Sequence, residues 1–275
     1  MRARRRRREP VAFAFRIVLY LIYGLPLLWI VLTSLKSQAD VISSQATILF
    51  APTAASYLSA LADPQFASSM RQSGVISLGT TVVCVALAIP MAYALARIRS
   101  RIPVIVLAVL VVLQMVPQTA NLIPLYTLLS QWGLLNTNAG LILADSALLL
   151  PWAVLLLRPF FSSIPEAIEE AALIDGARSW RQFFSIALPL ARNGIFTVTA
   201  IIFLVSWGEF LYAVTFMVDP GNYPMSALIA QQSGAFGIDW PKMMALAVAS
   251  AVPVFVVYVA SYRLLRTGLT LGAVK

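Results

Sequence analysis

Two acidic residues, Asp145 and Glu209, stand inside long apolar stretches of this sequence. A charged group in such a stretch is costly unless it faces protein or water, so each is a candidate functional residue. Carboxylates can hydrogen-bond to hydroxyl groups, and the nearby rings of Trp207 and Tyr212 can stack on the faces of a cyclic solute. We therefore name Asp145, Trp207, Glu209 and Tyr212 as a candidate path for a polar solute. Hydrogen-bonded contact between helices is the alternative role of the two carboxylates.

Several other kinds of site are excluded by the composition. The sequence contains no histidine and one cysteine, Cys84, so it can build neither an internal disulfide nor a Cys/His metal site. Without histidine, histidine acid/base chemistry and the nucleophilic triads that depend on it are also excluded. No Gly-x-x-x-x-Gly-Lys-Ser/Thr phosphate loop occurs, so the chain does not cradle ATP in that way. We expect no enzymatic activity, no metal and no cofactor on this chain.

The segment from Ser162 to Leu190 holds four of the eleven acidic residues of the chain, interleaved with arginines and aromatic residues. The four are Glu166, Glu169, Glu170 and Asp175. Ser163 is a suitable N-cap, and Pro165 suits an early helical position. Gly176 supplies the left-handed position at which a first short helix can end. The pattern predicts two short helices around Gly176, which is more structure than a plain connector needs.

The second of these helices is predicted to run as far as Pro189, where the chain turns into the next apolar segment. Its apolar residues are Trp180, Phe183, Phe184 and Ile186. In the first helix, the small side chains of Ala171 and Ala172 leave a surface that a partner can approach closely. The segment therefore has the composition of a docking surface.

The elements that must position these residues are membrane helices. The chain has 275 residues, of which 60% are hydrophobic and 11% are charged, and its mean hydropathy is +0.85. Such a chain belongs in a lipid bilayer. A helix rises roughly 1.5 Å per residue through a hydrocarbon core about 30 Å thick, so a span needs about 20 residues. Six stretches qualify, near residues 17–35, 75–96, 103–122, 140–157, 194–216 and 243–264.

The basic residues predict how these spans are oriented. If the chain crosses six times, 17 of its 20 Lys and Arg residues fall on one side. The opposite side receives only Lys36, Arg71 and Lys242. By the positive-inside rule both termini are cytoplasmic, and the net charge of +9 marks a membrane side rather than a nucleic-acid site. We divide the chain into a basic cytoplasmic tail, 1–16, and a six-span domain, 17–275, which contains a long cytoplasmic loop, 159–193.

That loop carries a recognisable pattern. Glu170-Ala171-Ala172 is followed by Gly176, six positions after the glutamate, and then by Ile186 and Leu188-Pro189. The pattern resembles the EAA loop of binding-protein-dependent ABC importer permeases. In that family the loop forms a coupling helix that docks in a groove of the ATP-binding subunit. The resemblance implies that the stretch from Glu170 through Asp175 to Gly176 receives the mechanical stroke and that Glu170 meets basic groups there.

Shorter matches along the chain are similar to the maltose-type carbohydrate permeases. They are Ser34-Leu35-Lys36, Ile123-Pro124-Leu125-Tyr126, Gly140-Leu141-Ile142-Leu143, Gly268-Leu269-Thr270 and Gly272-Ala273-Val274-Lys275. A further match, Trp207-Gly208-Glu209-Phe210, has glycine where these permeases commonly have asparagine. The outer segment from Asp219 to Lys242 corresponds in that subfamily to a loop that reaches a docked solute-binding protein.

The resemblance implies an all-α membrane protein with the fold of a type I ABC importer permease, in the cytoplasmic (inner) membrane of a bacterium. It implies three kinds of protein partner besides lipid: two ATP-binding subunits, a second homologous permease and an extracytoplasmic solute-binding protein. ATP and magnesium would be held by the ATP-binding subunits, and the solute would be a carbohydrate. The main alternative is an ion-coupled secondary transporter in which Asp145 or Glu209 is the coupling carboxylate. That class favours internally repeated, broken helices with charges at the membrane midplane, which the sequence does not show.

Overall fold

The computed structural model describes residues 8–43, 50–234 and 237–271, and side chains within 13–43, 50–234 and 237–262. Most of this described chain is helical. The helices are α1 (Arg8–Ser34), α2 (Gln38–Ile42), α3 (Ala55–Leu61), α4 (Pro64–Arg97), α5 (Ile102–Met115), α6 (Leu122–Gln131), α7 (Asn138–Ser162), α8 (Glu166–Ile174), α9 (Ser179–Gln182), α10 (Leu188–Trp207), α11 (Leu211–Phe216), α12 (Met225–Ala230) and α13 (Trp240–Leu271). A two-stranded antiparallel hairpin, β1 (Ser233–Gly234) with β2 (Gly237–Ile238), precedes α13.

In the described part of the chain, five helical stretches are long and apolar enough to cross a membrane, and a sixth candidate is a bent pair. The five are Phe13–Ser34, Pro64–Arg97, Asn138–Ser162, Ser179–Trp207 and Trp240–Tyr262. The six-span prediction is therefore confirmed, with one span broken. The basic residues from 2 to 7 and the C-terminal residues 272–275 lie outside the described residues. The helix of the first span begins at Arg8, so it includes part of the predicted tail.

The predicted third span, 103–122, is not a continuous helix. α5 ends at Met115, a 3₁₀ turn covers Gln118–Asn121, and the chain bends by 89° before continuing through α6. Pro117 explains the break, because it has no amide hydrogen and it disfavours helical dihedrals at the residue before it. Val116 accordingly adopts an extended conformation, with ψ of 122°.

The predicted fifth span, 194–216, also differs from the structure at both ends. Helical structure continues from α9 through a π-helical turn, Phe183–Ala187, directly into α10. Pro189 therefore does not redirect the chain: it sits in the first turn of α10, where its missing amide hydrogen is tolerated. At the other end α10 stops at Trp207, and Gly208 to Phe210 separate it from α11.

The chain divides into two compact units, one formed by Met1–Phe66 with Ile229–Ala251 and the other by Ala67–Leu228 with Val252–Lys275. In the first unit, the Lys242 ammonium lies 2.8 Å from a carboxylate oxygen of Asp63. Lys242 holds the pKa of Asp63 below its ordinary value of 3.8, so this carboxylate stays ionised at neutral pH. The Gln38 side chain also donates to the carbonyl of Ile238 across 2.7 Å, which fastens α2 to the hairpin.

The second unit is built around α4, α7 and α10. Small residues let the helices approach closely: an added Cβ at Gly79 of α4 would lie 2.5 Å from the side chain of Ile142 on α7. Gly194 of α10 faces the ring of Phe160 in the same way. Close approach through small side chains is the usual packing mode of helices in membranes, where no water is released on contact. This core holds the loop 159–193 at one end.

Candidate functional site

The loop helix α8 starts immediately after α7, with Pro165 in the N-cap position. Ser163 was the predicted N-cap, and this prediction is wrong. Its amide donates to Pro159 O (3.0 Å) and its hydroxyl donates to Phe160 O (2.8 Å), so the residue ends α7 instead. The acids Glu166 and Glu169 then occupy the first turn of α8, where they complement the partial positive charge of the helix N-terminus.

The end of α8 follows the glycine-based pattern predicted from the sequence. Gly176 has φ of +81°, its amide donates to Leu173 O (3.0 Å), and the amide of Ala177 donates to Ala172 O (2.9 Å). These two bonds make a Schellman motif, which requires a left-handed residue at the glycine position. An added Cβ at Gly176 would meet no atom within 4 Å, so the requirement comes from the backbone alone within this chain.

The buried contact of α8 is made by Glu169, which the sequence did not single out. Its carboxylate binds the Arg97 guanidinium through two bonds, Nη2 to Oε1 at 2.6 Å and Nε to Oε2 at 2.8 Å. Arg97 also donates to Phe161 O (3.1 Å), at the end of α7, and to Ile164 O (3.4 Å), in the linker to α8. The Tyr93 hydroxyl donates to Glu169 Oε2 at 3.3 Å. We call Tyr93, Arg97 and Glu169 the loop clamp.

The opposite face of α8 is open. The side chain of Glu170 is 65% exposed, and Leu173, Ile174 and Trp180 are 57%, 87% and 63% exposed. Ala171, Asp175 and Gly176 lie on this same open surface, whereas Ala172 is buried. The prediction that both alanines form the outer surface is therefore wrong for Ala172. Ile186 and Leu188 are half-buried, and Pro189 is exposed.

Glu209, a predicted solute-path residue, lies at the break between α10 and α11 rather than within a span. Its carboxylate accepts from the amides of Tyr212 (2.9 Å) and Ala213 (3.0 Å), which satisfies the free amides at the start of α11. It also accepts from the Gln118 side chain across 2.7 Å. Glu209 thus joins two breaks, one in the third span and one after α10.

Asp145 is 1% exposed and accepts a hydrogen bond from the Ser206 hydroxyl at 3.2 Å. Its other oxygen, Oδ1, has no hydrogen-bond partner among the described residues. This contact joins α7 to α10, which is the interhelical role considered as the alternative. Trp207 is 7% exposed, with its ring centroid 5.8 Å from that of Phe203, so it packs within the helix bundle.

A cavity of about 480 Å³ opens at the break of the third span. Three amide side chains, Gln114, Gln118 and Asn121, share its wall with Tyr212. Apolar residues of α7, Ala147, Leu148 and Pro151, form another part of it. The structure therefore brings Tyr212 together with amides that sequence reasoning missed. The sequence did offer a signal for them, because three amide residues fall within eight positions of an apolar segment, next to Pro117.

Comparison with known proteins identifies the family. The sequence profile of the family described as "Binding-protein-dependent transport system inner membrane component" matches residues 84–270. The chain is 33% identical over 269 residues to the sulfoquinovosyl glycerol transport system permease protein SmoH of Agrobacterium fabrum, covering 97% of this chain and 94% of that protein. It is 30% identical over 272 residues to the diacetylchitobiose uptake system permease protein NgcG of Streptomyces coelicolor, covering 98% and 90%.

The fold is shared with solved importers. A chain from the crystal structure of a bacterial ABC transporter involved in the import of the acidic polysaccharide alginate superposes with a TM-score of 0.78 at 21% identity, covering 94% of this chain and 96% of that chain. The resemblance drawn from the loop is confirmed, and the findings do not support the ion-coupled alternative. The chain belongs to the family of binding-protein-dependent transport system inner membrane components, and it is the multi-pass permease subunit of a bacterial ABC importer whose ATPase is a separate chain.

Proposed function

We propose that this permease carries a carbohydrate across the inner membrane and takes its power from an ATPase docked on the open face of α8. The observation that carries the proposal is the division of α8 into two faces. Glu169 holds one face on the membrane helices, and Glu170, Leu173 and Ile174 are exposed on the other face, where the exposed Arg99 guanidinium lies 3.9 Å from the Glu170 carboxylate. An exposed apolar patch beside a charge, outside the apolar spans, fits a protein partner.

The ATPase subunits would supply both the nucleotide site and the movement that displaces α8. Closure of their groove around ATP and magnesium would displace α8, with Glu170 meeting basic groups of the groove. Asp175 and Gly176 would contact the groove at the end of the helix, and Ile186, Leu188 and Pro189 would continue the loop into α10. The exposure of Glu170, Asp175 and Gly176 on one surface supports this assignment.

The loop 159–193 is assigned to the cytoplasm, with both termini on the same side. Arg97, Arg99 and Arg158 cluster where α4 and α7 end and α8 begins, and the Arg158 side chain donates to Leu95 O (3.3 Å). Positive residues at one end of the spans are typical of the cytoplasmic side. This orientation keeps the division into a basic tail, 1–16, and a permease domain, 17–275.

A carbohydrate is the solute class that the relatives and the cavity favour. The two relatives above are named for a sulfoquinovosyl glycerol and for diacetylchitobiose. Amide side chains such as Gln118 and Asn121 both donate and accept, as sugar hydroxyls do. We assign the cavity at the third span, with Tyr212 and Glu209 beside it, to the solute path, and we place Asp145 and Trp207 behind it between α7 and α10.

The cavity assignment predicts a binding defect without a coupling defect. Gln118→Ala removes an amide that contacts Glu209 and lines the cavity, so we expect half-saturation of uptake to need roughly tenfold more solute, equivalent to about 1.4 kcal/mol. Uptake of labelled solute by proteoliposomes at increasing concentration measures this. The matched control is Gln131→Ala, at the exposed end of α6. An unchanged concentration dependence for Gln118→Ala would remove the cavity from the path.

A transport path requires more than this one subunit. A second homologous permease would complete the enclosure, two ATP-binding subunits would serve the two coupling loops, and a solute-binding protein would deliver the carbohydrate from outside. The segment from Asp219 to Lys242 is the proposed contact for that binding protein. Co-purification of the complex from its native membrane identifies each subunit by mass.

The test of the proposed function is charge reversal at Glu170. Glu170→Lys should release the ATPase during purification and reduce ATP-dependent uptake by at least about tenfold, because the cation opposes basic groups of the groove. Arg192→Glu reverses an exposed charge at the start of α10 and serves as the control, with the ATPase retained. Retention of the ATPase and of uptake in Glu170→Lys would contradict the docking site.

A further inference from the structure

The loop clamp joins three helices at one point. Arg97 is the last residue of α4, two of its donors reach carbonyls at the end of α7 and in the linker to α8, and its remaining bonds grip Glu169 in the first turn of α8. The guanidinium is a rigid planar fork, so bonds in several directions fix the orientation of all three helices together. α8 is therefore fastened to α4 through space, although 72 positions separate Glu169 from Arg97 along the chain.

We propose that Arg97 and Glu169 are positioning residues that carry the stroke from α8 directly into α4 and α7. This inference rests on the proposed function, because it assigns a route to a displacement that the ATPase would deliver. Without the clamp, the displacement would pass along the backbone through residues 163–165 and 177–178 and through the weaker contacts of Glu166 with Arg99 and of Glu169 O with Gln182. With it, α8 and the cytoplasmic ends of α4 and α7 move as one body.

Burial makes this link stiff. The side chains of Arg97 and Glu169 are only 16% and 10% exposed, and the Tyr93 ring, whose centroid lies 5.7 Å from the Arg97 guanidinium, packs against the rings of Phe161 and Phe183. Charged hydrogen bonds are stronger where water is excluded, and removing one partner leaves the other charge buried and uncompensated. An exposed ion pair lies beside this buried one: Arg99 pairs with Glu166, and their side chains are 74% and 46% exposed. Such an exposed pair is weak, so it cannot replace the clamp.

A second contact connects α8 to α9. The Gln182 side chain, which is buried, donates to the carbonyl of Glu169 at 3.4 Å. The same amide reaches Ala177 O at 3.5 Å, so it bridges the two sides of the Gly176 turn. The loop backbone is thus held at its start by Arg97 and at its turn by Gln182. The open face with Glu170 is not used by either contact.

The experiment separates docking from transmission. In the purified complex with its ATPase and binding protein, Glu169→Gln and Arg97→Lys are compared with the parent chain. Co-purification reports docking, and the ATP hydrolysed per solute imported reports transmission. We expect both variants to retain the ATPase and its hydrolysis within about twofold, while uptake falls by roughly tenfold, so the ATP used per solute rises about tenfold. Arg99→Gln, which breaks the exposed pair, should keep the parent ratio.

The double variant with Arg97→Met and Glu169→Leu tests whether a defect comes from misfolding. Replacing a buried ion pair by apolar residues of similar volume commonly preserves stability. The double variant should therefore insert and dock normally, yet hydrolyse ATP without matching import. An unchanged ATP-to-solute ratio in this double variant and in Glu169→Gln would overturn the positioning role. If instead the ATPase docks and drives uptake in Glu170→Lys, the proposed docking site fails, and that result is distinct from the ratio measured here.

Discussion

Gly176→Asp is expected to abolish ATP-dependent uptake, and Gly133→Asp is expected to leave most of it. Both glycines have positive φ, +81° and +66°, and an added Cβ at either would meet no atom within 4 Å. Both end a helix in the same way: at Gly133 the amide donates to Ser130 O and the next amide donates to Leu129 O. The strain within this chain is therefore similar, about 1 kcal/mol in each case.

The difference between the two positions lies in what approaches them. Gly176 adjoins Glu170 and Asp175 on the open face, so a third carboxylate adds negative charge where a partner groove must close. Burying an unpaired charge at an interface costs several kcal/mol, enough to reduce uptake more than about a hundredfold. Gly133 lies between α6 and α7, outside the loop. Uptake of labelled solute, normalised to the amount of inserted chain, measures both variants.

One outcome would contradict the explanation by docking. Equal loss of uptake in Gly176→Asp and Gly133→Asp would mean that backbone strain, rather than docking, causes the defect. Gly176→Asn adds an independent check, because asparagine tolerates left-handed dihedrals and adds no charge. We expect Gly176→Asn to retain more uptake than Gly176→Asp, and the reverse order would exclude the electrostatic explanation.

Gly194→Ala is expected to cause the largest loss of stability, about 1–3 kcal/mol or more, because it overpacks the core. The new Cβ would lie 2.2 Å from Cγ of Phe160, and this atom cannot move away without displacing the whole ring. The thermal melting temperature of the purified complex, and the amount of chain inserted, should both decrease. Gly208→Ala is the matched control at the end of the same helix, where the nearest atom would be Leu204 O at 3.7 Å.

The change in stability caused by Gly208→Ala should differ from that caused by Gly194→Ala in sign as well as in size. Gly208 has φ of −85°, which alanine adopts freely, so its replacement should leave stability unchanged or increase it slightly. Phe160→Ala should partly rescue Gly194→Ala, because removal of the ring gives the new methyl group space. Additive effects of the two substitutions would contradict the clash, since residues in contact are expected to couple.

Sequence reasoning predicted the class of fold and the helix that ends at Gly176 because these depend on local patterns. Apolar length locates the spans, and Gly176 six residues after Glu170 locates the helix end, without reference to the rest of the chain. Glu169 was missed for a tertiary reason. In the sequence, Glu169 cannot be distinguished from its neighbours Glu166 and Glu170. Only the packing of α8 on α4 decides which carboxylate meets Arg97.

The breaks in the spans show a similar limit. Pro117 explains the break, yet hydropathy continues smoothly across it, so apolar length alone predicts one straight span and not the 89° bend. Glu209 was placed inside a helix because its flanks are apolar, whereas its carboxylate caps the start of α11. Ser163 and Pro189 were assigned roles from position preferences that the neighbouring helices overrode.

The π-helical turn at Phe183–Ala187 makes the two attachments of α8 unequal in stiffness. Its Leu188 amide reaches back five residues to Phe183 O, a wider and weaker arrangement than the α-helical bond, and Pro189 contributes no amide at all. The attachment toward α10 is therefore compliant, whereas the attachment toward α4 and α7 is rigid. A small displacement of α8 would strain the π-helical turn first, and α10 could keep its contact with α7 through Asp145 until the rigid side had moved.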